Sequence, residues 1–427
     1  HIHTSAPPHH SKTVTLVDFG TSPTESGIMD GILISAPGKL ILHGEHAVVY
    51  GKAALAASLD LRGFFHLCCN KTQTVNIKLP DVEVEASWSV KEILSKLHLP
   101  LGNPAQPGPP DEGVMQMLFE LAATDPSSNS TRSLALVTFL YMYAVLSYND
   151  GELLGVDVRM VSSLPPGAGL GSSAGFAVCL AAGLLRLGNH IPAPEKVVKE
   201  EGDKFATWTD PEVLHLINRW AWQGEHIIHG RCSGIDNSVS TFGGAIKFQN
   251  GQISSLDRVP HLRILLINTK VPRSTKVMVA GVRDRYNKFQ AVVEPVLDSI
   301  ENISSMCEKV FQQASDCLTE EDYKSLTELM GMNQCLLAAL GVSHPALETV
   351  CQLVARHGLQ AKLTGAGGGG CLFALLPPGI SHSTVDSIKD EVRKLGYDCW
   401  ETSVGGHGVL QHLCMGSHFS LPASFQC

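Results

Sequence analysis

Residues 165–174 read Pro-Pro-Gly-Ala-Gly-Leu-Gly-Ser-Ser-Ala, and an apolar run from Phe176 to Leu187 follows at once. Gly167, Gly169 and Gly171 admit positive φ and leave no Cβ between main chain and ligand, and the run behind them predicts a buried helix. A helix starting beneath such a loop aims its free N–H groups and positive dipole end at whatever the loop encloses, which favours an anion such as phosphate. Ser172 and Ser173 stand at the helix start, placed to cap it, to donate to a phosphate oxygen or to offer an oxygen to Mg2+. An ordinary glycine turn with a serine cap has the same local signature, so the reading depends on what accompanies it.

Composition removes several classes of function. With 427 residues, 44% hydrophobic and 17% charged, the chain is long enough for two domains with cores of their own. A formal net charge of −9 leaves no basic surface of the kind nucleic acid requires. The longest nearly continuous apolar stretch, Leu134 to Leu146, is too short to span a bilayer and reads as a buried helix. The 12 cysteines show no paired C-x-x-C spacing and read as reduced thiols. With no apolar leader and a Ser-Phe-Gln-Cys end that is not the Ser-Lys-Leu peroxisomal signal, the expected location is the cytoplasm.

Residues 1–28, rich in His, Ser, Thr and Pro, read as a disordered tail or extension. Ile32–Ser35 reads as a strand, Ala36–Lys39 as a loop and Leu40–His46 as a further strand or turn. More strands follow over Ala53–Leu67 and Thr74–Leu79, then helices near Gly113–Ala123, Leu134–Tyr148 and Ser173–Leu187. Asp210 and Pro211 supply the cap and first position of a helix running to Gly230, on which Asn218, Trp222, Glu225 and His229 share one face. Beyond residue 260 come a strand at Leu262–Asn268 and helices around Thr275–Tyr286, Ala291–Gln313 and Glu321–Leu340. Two strands then flank a loop between Ala361 and Leu376, and a helix covers Ser383–Leu395. The chain thus divides into an N-terminal unit, 29–259, and a mixed α+β unit, 260–417.

A second glycine cluster, Lys362-Leu363-Thr364-Gly365-Ala366-Gly367-Gly368-Gly369-Gly370-Cys371, lies between two predicted strands, where it is poor scaffold but permits a very close backbone. Neither cluster is a Gly-x-x-x-x-Gly-Lys-Ser/Thr phosphate loop. Asp18-Phe19-Gly20 lacks the His-Arg-Asp partner of protein kinases, and Glu225-His226-Ile227-Ile228-His229 is not the His-Glu-x-x-His of zinc proteases.

Ser-Ala-Pro-Gly-Lys-Leu-Ile-Leu-His-Gly-Glu-His at 35–46, the loop at 165–174, Gly224-Glu225 with Ser233-Gly234-Ile235-Asp236-Asn237, and the loop at 362–371 together resemble the GHMP kinase superfamily. His43-Gly44-Glu45-His46 and Asn268–Arg273 narrow the resemblance to the animal branch whose alcohol is (R)-mevalonate. It extends from about Ile32 to about Gly405. It implies an α+β, two-domain fold, with a ribosomal-protein-S5-like N-terminal domain and a ferredoxin-like C-terminal domain, and an ATP- and Mg2+-dependent phosphorylation of mevalonate. By the same resemblance Asp236 is the base that takes the hydroxyl proton and Lys39 its cationic partner. Ser173 and Glu225 would hold Mg2+. Lys39, Asp81, Ser162, Gly167, Ala168, Gly169, Leu170, Gly171, Ser172, Ser173, Gly367 and Gly368 would contact ATP, and Glu45, His46, Asp236 and Thr269 the alcohol. Asp81 stands where the family pattern has Asn, and Gly230-Arg231-Cys232 where it has Gly-Asn-Pro, which suggests a looser turn presenting Asp236. A homodimer and feedback by prenyl diphosphates are further implications. Other members of the superfamily, acting on phosphomevalonate, homoserine or galactose, share the phosphate machinery, and a catalytically silent binder is the reading from a different class.

Overall fold

The computed structural model describes residues 31–413, apart from 128–129, 150, 166, 201–202, 231, 257–258 and 315–317. The N-terminal tail, Arg231, Pro166 and the C-terminal Ser-Phe-Gln-Cys therefore lie outside the described residues. Before the first glycine loop come β1 (Ile32–His43), β2 (Ala54–Cys69), β3 (Thr74–Leu79), β4 (Val84–Ser89), α1 (Val90–Lys96), α2 (Glu112–Leu121), α3 (Thr131–Leu146) and β5 (Val156–Ser162). After it follow α4 (Ser172–Leu187), β6 (Lys196–Glu200), β7 (Asp203–Thr207), α5 (Pro211–His229), α6 (Ile235–Phe242), β8 (Ala245–Gln249) and β9 (Gln252–Ser255). The remainder consists of β10 (Leu262–Asn268), α7 (Thr275–Lys288), α8 (Gln290–Gln313), α9 (Glu320–Ala339), α10 (Pro345–Ala355), β11 (Ala361–Leu363), β12 (Cys371–Leu375), α11 (His382–Lys394), β13 (Asp398–Val404) and β14 (Leu410–His412).

In the first part β3 and β5 are parallel neighbours, Val75 opposite Val156, so the chain between them must cross over, and α1 to α3 fill that crossover. In the second, β11, β12, β10 and β13 lie side by side in that order and pair antiparallel throughout. With helices after the first and third of these strands in chain order, this is the split βαβ plan of ferredoxin-like domains. The two parts share one sheet because Val404 of β13 pairs with Leu59 of β2.

Apolar residues recur all round α4, and Ala174, Ala177, Val178, Cys179, Leu180, Ala181 and Leu184 are buried, as a helix without a polar face requires. Each leucine so enclosed contributes about 1.5–3 kcal/mol over an exposed one. The core thus fixes the helix whose first turn follows the glycine loop. No helix among the described residues is long and apolar enough to cross a membrane, and the nine described cysteines are all free.

The expected loop at Ala36–Lys39 is not there. β1 runs unbroken from Ile32 to His43, and its pairing with β2 shifts between Pro37 and Gly38 instead. A proline has no N–H to give a ladder, and the irregularity absorbs it without ending the strand. Asp236 lies in the first turn of α6, which Gly234 opens in a left-handed conformation (φ 82°), and the looser turn expected at 230–232 falls on Arg231, outside the described residues. α10 escaped the sequence reading although Pro345 occupies its first turn and His344 caps it.

Candidate functional site

Gly171 is the point where three segments converge. It takes φ 77° directly before α4, and a Cβ placed on it would lie 3.0 Å from Cγ of Lys39 and 3.8 Å from Oδ2 of Asp236. The Lys39 N–H donates to the Leu170 carbonyl at 2.8 Å, which ties β1 to the loop. α6 is pinned to the same strand by Ser240, whose hydroxyl donates to the Pro37 carbonyl at 2.7 Å. The Lys39 ammonium and the Asp236 carboxylate consequently meet at 3.3 Å, the lysine side chain 10% exposed and the aspartate 34%. A charged pair open on one side is able to receive a third group.

α5 delivers Glu225. Gly224 allows this, since a Cβ there would lie 3.0 Å from Cβ of Ala177 on α4, and any larger residue would push the two helices apart. Glu225 is buried beside the start of α4, near the Ser173 hydroxyl, and burial first, then the Asp236 charge, push its pKa up to about 7. Among the described residues its Oε1 has no hydrogen-bond partner. A desolvated carboxylate with an orphaned oxygen, next to a hydroxyl, suits a hard divalent cation that completes its shell with phosphate oxygens and water. Among the described residues no group of three or more His, Cys, Asp and Glu could hold a metal by itself. His229, one turn beyond Glu225, places Nε2 3.0 Å from the Ser173 Oγ. Sequence spacing had put His229 on the Glu225 face without giving it a role.

Other expected residues fall into two further groups. At the end of β5 the Ser162 N–H donates to Asp81 Oδ2 at 2.6 Å, and burial raises the Asp81 pKa against that bond. The second group gathers round the loop at 362–371. His46, at φ 62°, sets its Nε2 2.8 Å from the Ala366 carbonyl, and the Thr269 hydroxyl donates to the Gly370 carbonyl at 2.8 Å. Gly368 donates its N–H to the Val342 carbonyl at 2.7 Å, so that particular donor is already engaged. Glu45 is fully enclosed and ion-paired with Lys362, whose ammonium also donates to the Leu363 carbonyl at 2.7 Å. Burial raises the Glu45 pKa and lowers that of Lys362, each opposed by the other's charge.

Arg273 joins the two glycine loops. Its guanidinium donates to the Ala168 carbonyl at 2.6 Å and to the Thr364 carbonyl at 3.2 Å. Sequence reasoning named Arg273 only as the end of a motif stretch and Lys362 only as the start of the second glycine cluster, neither with a role, and missed Ser240 altogether.

Residues 137–244 match the family described as GHMP kinases N terminal domain, and residues 314–398 that described as GHMP kinases C terminal. Among curated relatives, mevalonate kinase of Bos taurus is 47% identical, over 92% of this chain and 97% of its own. Mevalonate kinase of Homo sapiens is 46% identical, over 89% of this chain and 95% of its own. Among solved structures, that of L. major mevalonate kinase in complex with R-mevalonate superposes with a TM-score of 0.59 at 21% identity, covering 93% of this chain and 99% of that one.

Proposed function

This chain belongs to the mevalonate kinase family within the GHMP kinases, and from that membership we propose that it transfers the γ-phosphoryl group of ATP to the C5 hydroxyl of (R)-mevalonate. The observation that carries the chemistry is the open Lys39–Asp236 pair beside a buried carboxylate with an unused oxygen. Phosphoryl transfer needs little covalent work from the protein, only position and charge. Asp236 accepts the hydroxyl proton as the alcohol oxygen attacks the γ-phosphorus, which breaks its bond to the β-phosphate bridging oxygen and releases ADP. Lys39 stabilises the negative charge on the attacking oxygen and keeps it close to the base.

The loop from Gly167 to Ser172 and the start of α4 cradle the phosphates, with Ser162 and Asp81 on the nucleotide side. Ser173 and Glu225 would hold Mg2+, which when bound neutralises charge on the β- and γ-phosphates. His46 and Thr269 face the alcohol side, and Glu45, sealed against Lys362, acts by fixing the loop that carries His46. Gly367 and Gly368 bring the second loop towards the nucleotide. Residues 29–259 then form the nucleotide lobe and 260–417 the lobe that closes on it. Family resemblance supports a cytoplasmic homodimer inhibited by prenyl diphosphates at the ATP cradle.

A coupled ADP-release assay with mevalonate, phosphomevalonate, homoserine and galactose tests the reading. Turnover confined to mevalonate is expected; a preference for another alcohol would reassign the substrate. No turnover with any of them would favour a silent binder, against which the joint presence of Lys39, Ser173, Glu225 and Asp236 argues, because a sensor needs no base.

A further inference from the structure

The proposed machinery makes no use of one polar contact at its edge, that of the His229 imidazole, whose Nε2 lies 3.0 Å from the Ser173 Oγ. Glu225 and His229 occupy successive turns of one face of α5, and Gly224 lets α5 pack closely on α4, which brings the His229 ring onto the Ser173 hydroxyl with Glu225 near by. A hydroxyl carries a single proton. The side-chain hydrogen-bond partner of Ser173 among the described residues is His229, with the Glu225 carboxylate near by as a competing acceptor. Once a divalent ion draws on both the carboxylate and the Ser173 oxygen, the proton has to point away from the ion, and an acceptor must stand on the far side. His229 is the side chain already within hydrogen-bond reach of that oxygen.

Resting on the metal site proposed above, we infer that His229 is a positioning residue: its Nε2 accepts the Ser173 hydroxyl proton and so turns the oxygen lone pairs of Ser173 towards the cation. The ring nitrogen that serves as acceptor is unprotonated, which places the ring hydrogen on Nδ1. Partners of this kind, one bond removed from a metal, commonly set affinity by about 10- to 100-fold. His229 lies at the C-terminal end of α5, where Gly230 ends the helix with φ 72°, and it is not part of the buried core, so substitutions there leave the core untouched.

The test reads metal binding rather than turnover. Mn2+ is titrated by electron paramagnetic resonance into the full-length protein with ADP present, for wild type, His229→Leu, His229→Gln, Ser173→Ala and the Ser173→Ala/His229→Leu pair. The expected result is Mn2+ affinity weakened about tenfold in His229→Leu and largely restored in His229→Gln, whose side-chain oxygen can accept the same proton. ADP binding without metal should be unchanged, and the double variant should be no weaker than Ser173→Ala alone. Wild-type affinity in His229→Leu overturns the inference, as does a double variant in which the two losses add. Failure of the wild type itself to bind Mn2+ with ADP removes the underlying metal site and the inference with it, and that outcome is visible before any variant is examined.

Discussion

Two lysine–carboxylate pairs sit in this molecule under opposite conditions. Lys39 and Asp236 are 3.3 Å apart, with the carboxylate 34% exposed, near a Glu225 oxygen that no described residue satisfies. Lys362 and Glu45 are both fully enclosed, and Lys362 is further held by the Leu363 carbonyl and the face of the Phe373 ring, 5.3 Å from its centroid. Near them Asn333 spans His43 at 3.0 Å and Glu45 at 3.5 Å. The first pair is incomplete and has room for a reactant. The second is closed, and it links β1 to α9 and β11, fixing the first part of the chain against the second. On the proposed mechanism, the same two functional groups serve chemistry where solvent reaches them and architecture where it does not.

The sharpest way to break this contrast is to remove one charge from each pair. Asp236→Asn keeps the shape of the site but loses the proton acceptor, and turnover should fall about 10²- to 10⁴-fold while ATP binding persists. Near-normal turnover in a steady-state assay would reject Asp236 as the base. Lys362→Met leaves the Glu45 carboxylate without its counter-charge, and urea unfolding should show a loss of about 3–5 kcal/mol. Adding Glu45→Leu should recover most of that loss, since a buried pair replaced by apolar groups is often near neutral. If the double variant is no more stable than Lys362→Met, the closed pair does more than balance charge.

Glu225→Gln comes next. It should raise the half-saturating Mg2+ concentration on the order of tenfold or more, the scale on which even outer partners of metal sites act. An unchanged metal titration would take Glu225 out of the cation's shell. The smallest effect concerns pH and His43, whose pKa lies well below the ordinary histidine value because of burial first and the Lys362 charge second. Between its folded and unfolded pKa values the unfolded chain binds a proton that the folded chain refuses, so stability falls as pH drops below about 6.5. Glu45, raised by burial, titrates in the opposite sense on the same face. The slope lost in His43→Gln relative to wild type, read as urea midpoints from pH 7 to pH 5, isolates the histidine. Equal slopes would mean that His43 does not resist acid.

Helices with strong periodicity or a clear start were legible in the sequence. Asp210 caps α5 with Pro211 at its first position, as read, and β10 runs from Leu262 to Asn268 without correction. The failures were of another kind. Pro37 reads as a break, yet a shift in strand pairing that only the β2 partner reveals lets β1 continue. α6 begins at a left-handed glycine without a side-chain cap, so it carries no start signal. The glycine loops and the Lys39, Ser173, Glu225 and Asp236 group could be named because each motif is contiguous. Lys362 and Arg273 could not be given roles, since their partners lie 317 and 105 residues away along the chain and only the folded topology brings them together.

Arg273 makes the two cradles mechanically one. Its guanidinium is strung between the carbonyls of residues 168 and 364, a tether only one side chain long. Whatever displaces one anchor strains the other. If the two loops hold ligands as proposed, a molecule settling into either one would load the tether shared with the other, and any coupling free energy would be the same whichever guest arrived first.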